Sequence, residues 1–261
     1  MLRIRLIGDW SAGQVDCRWT ASTFRSPPEV LRLIEQAWRN AARRGVQLFD
    51  GPMCRLEEVR SEGDRLHILL SRTSYRLFLG TNLHNAELAD RHGPSVLANP
   101  VGLSCALVSA DGRLMLGQRN DRVAYYPSRI HPFAGAMEGI DGPDVFAEVR
   151  RELAEELSLA DDQVSAVRCI SLVEDAALRQ PEFIFLTQCS LSCDVIAQKL
   201  DATEHRSTVA LAQNAGGVAH FLQDKRLTPV AVGMILLWGR TVFGDAWFSA
   251  ALSVLGLPPT T

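Results

Sequence analysis

The chain contains 261 residues, 47% of them hydrophobic, and carries a formal net charge of −3. That length and apolar content suffice for a sizeable core, so the composition predicts a folded globular protein. Lysine and arginine are dispersed, which excludes the basic patch that nucleic-acid binding requires. No apolar run is long enough to cross a bilayer, and the first residues lack the apolar stretch of a signal peptide. We therefore expect a cytoplasmic protein without nucleic-acid or membrane partners.

Residues 1–98 are expected to form a small N-terminal α+β unit. Apolar and polar residues alternate over residues 2–6, which predicts a half-buried strand. Apolar residues at every fourth position predict a helix over residues 29–44, and residues 65–71 have the pattern of a second strand. A short helix is predicted to follow and to end at Gly80, because glycine commonly terminates helices. We interpret this unit as a candidate substrate-specificity element.

Residues 99–261 predict a second unit in which strands alternate with helices. Four strands are expected, at residues 103–109, 113–118, 164–173 and 183–189. The first two flank Asp111-Gly112, a strong hairpin signal. One helix is predicted over residues 143–157, and a buried final helix is predicted to begin after Thr228. This alternation predicts an α/β fold with helices packed around a mixed sheet.

The most informative segment is the acidic helix at residues 151–159. At about 100° per residue, Glu152, Glu155 and Glu156 project from one face. Three carboxylates on one ridge repel each other, and a hard cation such as Mg²⁺ removes that cost because it takes oxygen ligands from carboxylates, water and substrate phosphate. The segment therefore predicts phosphoryl chemistry on a metal held by these three glutamates, with Mg²⁺ expected and Mn²⁺ as the alternative. An ordinary solvated amphipathic helix is the competing interpretation.

The same helix and the loop before it resemble the Nudix box, whose pattern is G-x5-E-x7-R-E-U-x-E-E-x-G-U, with U an aliphatic residue. Gly135 matches the first glycine, and residues 151–156 match the R-E-U-x-E-E core in full. Asp141 stands in place of the first glutamate, two extra residues separate it from the core, and Ser158 replaces the last glycine. What this resemblance implies is the Nudix fold, an α/β/α sandwich around a mixed sheet, preceded here by the smaller N-terminal unit.

Segments outside the box resemble one branch of the Nudix hydrolases, the UDP-sugar diphosphatases. In chain order these segments are residues 48–52, 73–82, 99–102, 182–183, 188–191, 205 and 207–208. What the resemblance implies is an enzyme, a Mg²⁺-dependent nucleoside diphosphate sugar pyrophosphatase that hydrolyses UDP-glucose or UDP-galactose to UMP and a sugar 1-phosphate. Two alternatives stay open. One is hydrolysis of ADP-ribose or another nucleoside diphosphate derivative, and the other is a Nudix-fold nucleotide-sugar binding module without catalysis.

By the family's pattern, Arg151 holds a neighbouring glutamate in position, and Gly135 lets the loop backbone approach the metal. Glu155 and Glu156 are the metal ligands expected to be catalytic, and Glu156 is the first choice. Nudix enzymes often take a further carboxylate from outside the box. Glu182, just before an apolar strand, is the candidate for base or extra ligand, since the resembled branch also has Glu-Phe there. Glu174 is the rival candidate.

Anionic phosphates favour arginine, whose planar fork matches phosphate oxygens. Arg119, at the end of the second hairpin strand, is the preferred phosphate contact, and Arg76 is the candidate in the N-terminal unit. Tyr75 is expected to stack on the uracil or the sugar, and Asn82 to bond polar edges of the substrate. Core packing for Tyr75 and a helix end for Asn82 are the alternatives. His205 is expected to be either a switch residue or a loop histidine with satisfied hydrogen bonds.

Overall fold

The computed structural model of the protein describes residues 2–22, 24–44, 48–138 and 142–259. Within these ranges the chain forms eleven β-strands and eight α-helices, joined by loops and short 3₁₀ segments. The strands are β1 Leu2–Trp10, β2 Val15–Trp19, β3 Pro52–Glu62, β4 Arg65–Ser74, β5 Gly102–Val108, β6 Arg113–Arg119, β7 Ile130–His131, β8 Phe133–Ala136, β9 Val164–Asp175, β10 Gln180–Cys189 and β11 His205–Ala212. The helices are α1 Pro28–Arg43, α2 Tyr75–Phe78, α3 Leu88–His92, α4 Val145–Leu157, α5 Cys193–Gln198, α6 Ala215–Phe221, α7 Pro229–Phe243 and α8 Asp245–Val254.

The large sheet has the strand order β1-β9-β10-β5-β6-β11, with β8 paired to β5 and β7 paired to β6. Strands β10 and β5 run parallel, whereas β1–β9 and β9–β10 run antiparallel. The sheet is therefore mixed, as predicted. The four strands predicted between residues 103 and 189 are all present, each with ends within three residues of the expected ones.

The central strand β5 is buried along its whole length. Leu103, Cys105 and Leu107 pack into a core with α4, whereas Ala106 packs into a second core with α7. Alternation between two apolar cores is the pattern of a strand that is covered on both faces. Because α4 and α7 lie on opposite faces of the sheet, the predicted α/β/α sandwich is confirmed.

A second, three-stranded sheet has the order β2-β4-β3, with β2 parallel and β3 antiparallel to β4. Leu66, Ile68 and Leu70 of β4 are buried in the core that also contains α4. This sheet and helices α1 to α3 form the smaller α+β unit. Strand β1, however, lies in the large sheet beside β9. The boundary between residues 98 and 99 stays a prediction.

Helix α4 begins later than the sequence predicts. The sequence predicts a helix from residue 143, with Asp141 or Gly142 near its start, but the N-terminal cap is Asp144, whose carboxylate accepts hydrogen bonds from the backbone N–H groups of Phe146 and Ala147. Such a cap satisfies N–H groups that have no partner within the helix. Asp141 itself lies outside the described residues.

The apolar face of α4 packs inward, as its spacing of four predicts, with Val149, Leu153 and Leu157 buried. The helix ends at Ser158, whose backbone is left-handed with φ 49° and ψ 37°. Glycine adopts this conformation without steric cost, which is a physical reason for the glycine of the Nudix pattern at this position. Ser158 adopts the same left-handed conformation at the cost of local strain. Lys199 Nζ donates a hydrogen bond to the Ser158 carbonyl over 2.8 Å.

The short helix α2 does not end at Gly80, so that prediction was wrong. The helical backbone continues as one wide turn over Leu79–Leu83, and Gly80 lies inside it. A Cβ atom at Gly80 would lie 2.5 Å from Ile34 Cα of α1. The glycine is therefore a point of close helix contact and not a helix terminator.

Gly80→Ala is expected to destabilise the protein by about 2 kcal/mol or more, because the added carbon meets backbone of α1 that cannot rotate away. The higher helix propensity of alanine offsets only about 1 kcal/mol of that cost. Chemical denaturation of both proteins measures the difference. Gly13→Ala is the matched control, since no heavy atom lies within 4 Å of the added carbon. Equal stability of the two variants would contradict the packing argument.

Helix α7 begins as predicted, but the prediction that it is the final helix was wrong, because α8 follows it. Thr228 accepts a hydrogen bond from the backbone N–H of Ala231, and Pro229 occupies the first turn. Almost all of its apolar side chains are buried against the large sheet and α8. None of the helices in the described ranges combines the length and the apolar character needed to cross a bilayer.

Candidate active site

The acidic helix α4 lies against strand β8, which carries the glycine of the box-like loop. The backbone N–H of Ala134 donates a hydrogen bond to Glu156 Oε2 over 3.0 Å. Glu152, one turn earlier, places its carboxylate over Gly135, where any Cβ atom would collide with it. Two of the three predicted metal ligands therefore face the backbone of β8. Glu155 points outward, with 59% of its side chain exposed.

Arg151 contacts three glutamates of its own helix. Its guanidinium donates hydrogen bonds to Glu148 Oε2 over 3.1 Å, to Glu155 Oε2 over 2.7 Å and to Glu152 Oε1. Such pairs reduce the mutual repulsion of the carboxylates. The sequence interpretation assigned this compensation to a cation alone, so the structure adds a second source of positive charge on the ridge.

Burial makes the two inward-facing carboxylates weak acids. Desolvation raises the pKa of Glu152 to about 8, against the opposing charge of Arg151. Desolvation also raises the pKa of Glu156 well above its usual range, and the charge of Glu204 acts in the same direction. Near neutral pH, ionisation of either group is therefore costly unless further positive charge is brought in, and a divalent cation provides it.

Glu156 carries an oxygen that the described residues leave without a hydrogen bond. Its Oε1 is buried, and His205 Nδ1 lies 3.3 Å away without hydrogen-bond geometry. An orphaned carboxylate oxygen one helical turn from Glu152 suits a hard cation, which prefers oxygen ligands. Across the described ranges, no three Asp, Glu, His or Cys side chains converge on one metal-sized position. Because Mg²⁺ often takes only one or two carboxylates and fills its shell with water and phosphate, Glu152 and Glu156 fit it, and Glu155 has the least structural support.

His205 lies in strand β11 and not in a loop. Pairing of β11 with β6 sets it opposite Arg119. The imidazole is buried, packs edge-on to Phe133 at 5.3 Å and leaves no room for a side chain at Gly117. Burial and the nearby charge of Arg119 lower the pKa of His205 to about 4, so the ring is neutral near pH 7. The prediction of satisfied hydrogen bonds was wrong, because neither ring nitrogen bonds to any described residue.

Arg119 is buried among the titratable groups of this region. Its guanidinium lies over the ring of Tyr125, 5.0 Å from the centroid, and its Nη2 lies 4.0 Å from Glu204 Oε2. The positive charge opposes the effect of burial on the pKa of Glu156 and of Glu182. Its Nε bonds to no described residue. The structure therefore brings Arg119 close to the acidic groups, with N–H donors left for a ligand.

Glu182 is enclosed near the start of β10. Ser104 Oγ donates a hydrogen bond to its Oε1, and Gly102 leaves the space that its side chain occupies. Burial raises the pKa of Glu182 to about 7, while Ser104 and Arg119 oppose that rise. A carboxylate that titrates near neutral pH is suited to proton transfer.

Glu174, the rival candidate, has a different environment. It accepts hydrogen bonds from Arg5 and, over 2.9 Å, from Arg3, and both arginines lie on the edge strand β1. The register of β9 and β10 points the side chains of Glu174 and Glu182 to opposite faces of the sheet. The structure thus separates the two carboxylates, one near Arg119 and the other in an ion-pair group at the sheet edge.

The two N-terminal candidates on α2 have contacts of their own. Tyr75 packs against Trp38 and Phe78, with ring centroids 6.4 and 6.3 Å away. The guanidinium of Arg76 pairs with Glu35 and lies over the ring of Trp38. These contacts hold both side chains within the N-terminal unit. Their roles in substrate binding stay predictions.

Asn82 is fully buried. Its side-chain amide donates to the carbonyls of Leu178 over 3.0 Å and Arg179 over 3.2 Å, and its side-chain oxygen accepts from the N–H of Asn99 over 2.9 Å. Asn82 therefore links the turn between β9 and β10 to the N-terminal unit through hydrogen bonds. A bond from Asn82 to substrate would replace one of these contacts, so that assignment also stays a prediction.

Sequence reasoning missed three residues of this region. Tyr125 stacks on Arg119, Ser104 bonds to Glu182, and His131 Nδ1 lies 2.8 Å from the hydroxyl oxygen of Thr228. Ser104 offered a signal, since it is a polar residue within the otherwise apolar strand β5. Tyr125 stands in a polar segment whose local pattern indicates only a loop.

Gly135→Ala is expected to weaken divalent-cation binding about tenfold or more with little change in stability. The three atoms nearest to the added carbon all belong to the far end of the Glu152 side chain, which can move away and so loses its place beside Glu156. Cation titrations and thermal melting of the same variant test both parts. Gly216→Ala is the control, because its added carbon makes only ordinary contact with Asn214. Unchanged cation affinity in Gly135→Ala would contradict the assignment of Glu152.

In sequence, the chain is similar over most of its length to uridine diphosphate glucose pyrophosphatase NUDT22 of Homo sapiens. The two are 26% identical over 263 aligned positions that cover 87% of this chain and 86% of the human protein. The protein of that name from Mus musculus is 26% identical over 273 positions, covering 90% of this chain and 88% of its own length. The predicted resemblance to the UDP-sugar diphosphatase branch of the Nudix hydrolases is confirmed.

No family model matches the chain. Among solved structures, a Nudix hydrolase from Nitrosomonas europaea superposes with a TM-score of 0.37 and 18% identity, covering 55% of this chain and 90% of its own. The MutT protein of Methanosarcina mazei superposes with a TM-score of 0.38 and 14% identity, covering 54% of this chain and 94% of its own.

Proposed function

We propose that the protein is a Nudix hydrolase that cleaves the pyrophosphate linkage of a nucleoside diphosphate sugar. The proposed substrates are UDP-glucose and UDP-galactose, the products are UMP and a sugar 1-phosphate, and the cofactor is Mg²⁺ or Mn²⁺. The observation that carries the proposal is the packing of Glu152 and Glu156 against β8, with the charge of Arg119 acting on Glu156. The similarity to proteins named uridine diphosphate glucose pyrophosphatase supports the choice of substrate.

A pyrophosphate is anionic, so its binding requires positive charge and hydrogen-bond donors. The Arg119 guanidinium supplies both, because its planar fork can bond two phosphate oxygens. Glu152 and Glu156 would hold the divalent cation, which when bound supplies charge stabilisation and lowers the pKa of a coordinated water. The ion pair with Arg151 favours the position of the Glu152 carboxylate beside β8.

Glu182 is the proposed proton acceptor. Ser104 bonds to its Oε1, which leaves Oε2 to take a proton from the attacking water. With a pKa of about 7, the carboxylate is mostly ionised at pH 8 and is still a stronger base than an exposed glutamate. Burial of the side chain also keeps bulk water from competing for the proton.

A panel of nucleotide sugars with Mg²⁺ tests the proposal. Chromatography is expected to detect UMP and sugar 1-phosphate from UDP-glucose or UDP-galactose, and no release when EDTA is added. Faster turnover of ADP-ribose would favour the alternative substrate class. If no compound is hydrolysed but UDP-glucose raises the melting temperature, the binding-module alternative replaces this one.

A further inference from the structure

The guanidinium of Arg119 is oriented by an aromatic ring and not by a close ion pair. Tyr125 lies 5.0 Å below it, whereas the carboxylate of Glu204 is 4.0 Å away and belongs to a side chain that is half exposed. A cation over a partly buried ring is attracted to the face of the ring, and that contact uses none of its N–H donors. The stacked arginine therefore keeps its donors for an anionic ligand.

The ring of Tyr125 is in turn held by the N-terminal unit. Phe78 of α2 packs edge-on to it, with ring centroids 6.1 Å apart, and Met53 and Ala98 belong to the same apolar cluster. Met53 and Phe78 precede the predicted boundary at residue 98, and Ala98 is the last residue before it. Through Tyr125, the N-terminal unit therefore restricts where the Arg119 guanidinium can lie.

The neighbouring Tyr126 fixes the other side of the same loop. Its hydroxyl donates a hydrogen bond to Asp175 Oδ2 over 2.5 Å, at the end of β9. Its backbone is left-handed, with φ 51°, a conformation that costs a non-glycine residue free energy and persists only when surrounding contacts hold it. The loop that carries Tyr125 is therefore anchored to two separate elements, as a support for a charged side chain requires.

We infer that Tyr125 is a positioning residue that presents the Arg119 guanidinium to a phosphate of the substrate, and that Phe78 extends this support into the N-terminal unit. This inference rests on the proposed function, in which Arg119 binds the pyrophosphate. It assigns the N-terminal unit a part in phosphate binding in addition to any contact with the base or sugar.

Steady-state kinetics with UDP-glucose and Mg²⁺ tests the inference. Tyr125→Leu, which removes the ring, is expected to raise KM about tenfold with kcat within about threefold, whereas Tyr125→Phe, which keeps the ring, stays near the parent protein. Leu83→Ala is the control, because Leu83 packs in the same apolar cluster and its loss should lower the melting temperature without raising KM. Phe78→Leu is a second variant, expected to raise KM about threefold.

A double-mutant cycle separates positioning from general damage. If Tyr125 acts through Arg119, Tyr125→Leu adds less than twofold to the KM of Arg119→Lys. Independent multiplication of the two effects, or a KM in Tyr125→Leu equal to that of the parent, would overturn the inference. Should the parent protein hydrolyse no nucleotide sugar, the proposed function fails. Calorimetric affinity of the same variants for UDP then decides the inference, with a loss of about tenfold expected in Tyr125→Leu and none in Tyr125→Phe.

Discussion

Glu182→Gln is expected to lower the hydrolysis rate by at least about 10²-fold and, at pH 8, to stabilise the folded protein. The rate falls because glutamine cannot accept the proton, and general-base catalysis typically contributes about 10² to 10⁴. The stability rises because the glutamine keeps an acceptor for Ser104 but carries no buried charge. Loss of activity together with a gain in stability would indicate that Glu182 carries a buried charge that is needed for the reaction and costs folding free energy.

The pH dependence has a definite sign. Burial raises the pKa of Glu182 from its ordinary 4.5 to about 7, so between those values the folded protein keeps a proton that the unfolded chain has released. Stability therefore falls as the pH rises through this interval, by up to about 3 kcal/mol, and Glu182→Gln removes that part of the slope. Activity behaves oppositely, since the ionised base is needed, and is expected to rise with pH through about 7.

Glu174→Gln is the matched control for Glu182→Gln. Glu174 has two arginine partners on β1, so its neutralisation should destabilise the protein and leave the rate within about threefold. Denaturation at several pH values and initial rates measure both effects. The four proteins compared are the parent, Glu182→Gln, Glu174→Gln and the double variant. A slower but less stable Glu182→Gln would indicate structural damage, and a fully active one would remove Glu182 from the mechanism.

Glu156→Gln is expected to abolish cation-dependent activity, with a loss of about 10² or more in rate. The glutamine can still accept the hydrogen bond from Ala134, so β8 and α4 keep their contact. What it lacks is the negative charge on the orphaned oxygen that attracts the cation. Mg²⁺ should therefore raise the melting temperature of the parent protein and leave that of Glu156→Gln unchanged.

Glu155→Gln provides the comparison for this variant. Glu155 is exposed and paired with Arg151, so its loss should weaken cation binding less than the loss of Glu156. Differential scanning fluorimetry over a Mg²⁺ series, with rates at saturating Mg²⁺, gives both quantities. If Glu155→Gln were the more damaging change, the cation would bind on the solvent side of α4 and the inward-facing assignment would be wrong.

Local sequence patterns were sufficient to predict the elements that carry most of the candidate site. The apolar spacing of four predicts α4, and Asp111-Gly112 predicts the hairpin that ends at Arg119. Both signals arise from residues that are neighbours along the chain. The start of α4 was placed too early because Asp144 caps it, although the capping residue type itself is among those that sequence rules favour.

Contacts between distant segments could not be predicted in this way. Residues 191–225 have no clear pattern, yet this stretch contains β11, whose pairing with β6 brings His205 next to Glu156. Gly80 has the sequence signature of a helix end, and only the approach of α1 explains it. The difference between Glu174 and Glu182 depends on which side of the pleat each side chain takes, and that follows from strand register.

Two inward-facing carboxylates, the partly buried Glu152 and the buried Glu156, are proposed to hold a divalent cation. Titration with Mn²⁺, followed by the loss of the free-ion electron paramagnetic resonance signal at pH 8, tests it most directly. The parent protein is expected to bind one Mn²⁺ per chain through this pair, and Glu156→Gln at least about tenfold more weakly. Equal affinity in the two proteins, or hydrolysis by a parent protein that binds no Mn²⁺ and needs no Mg²⁺, would contradict the claim.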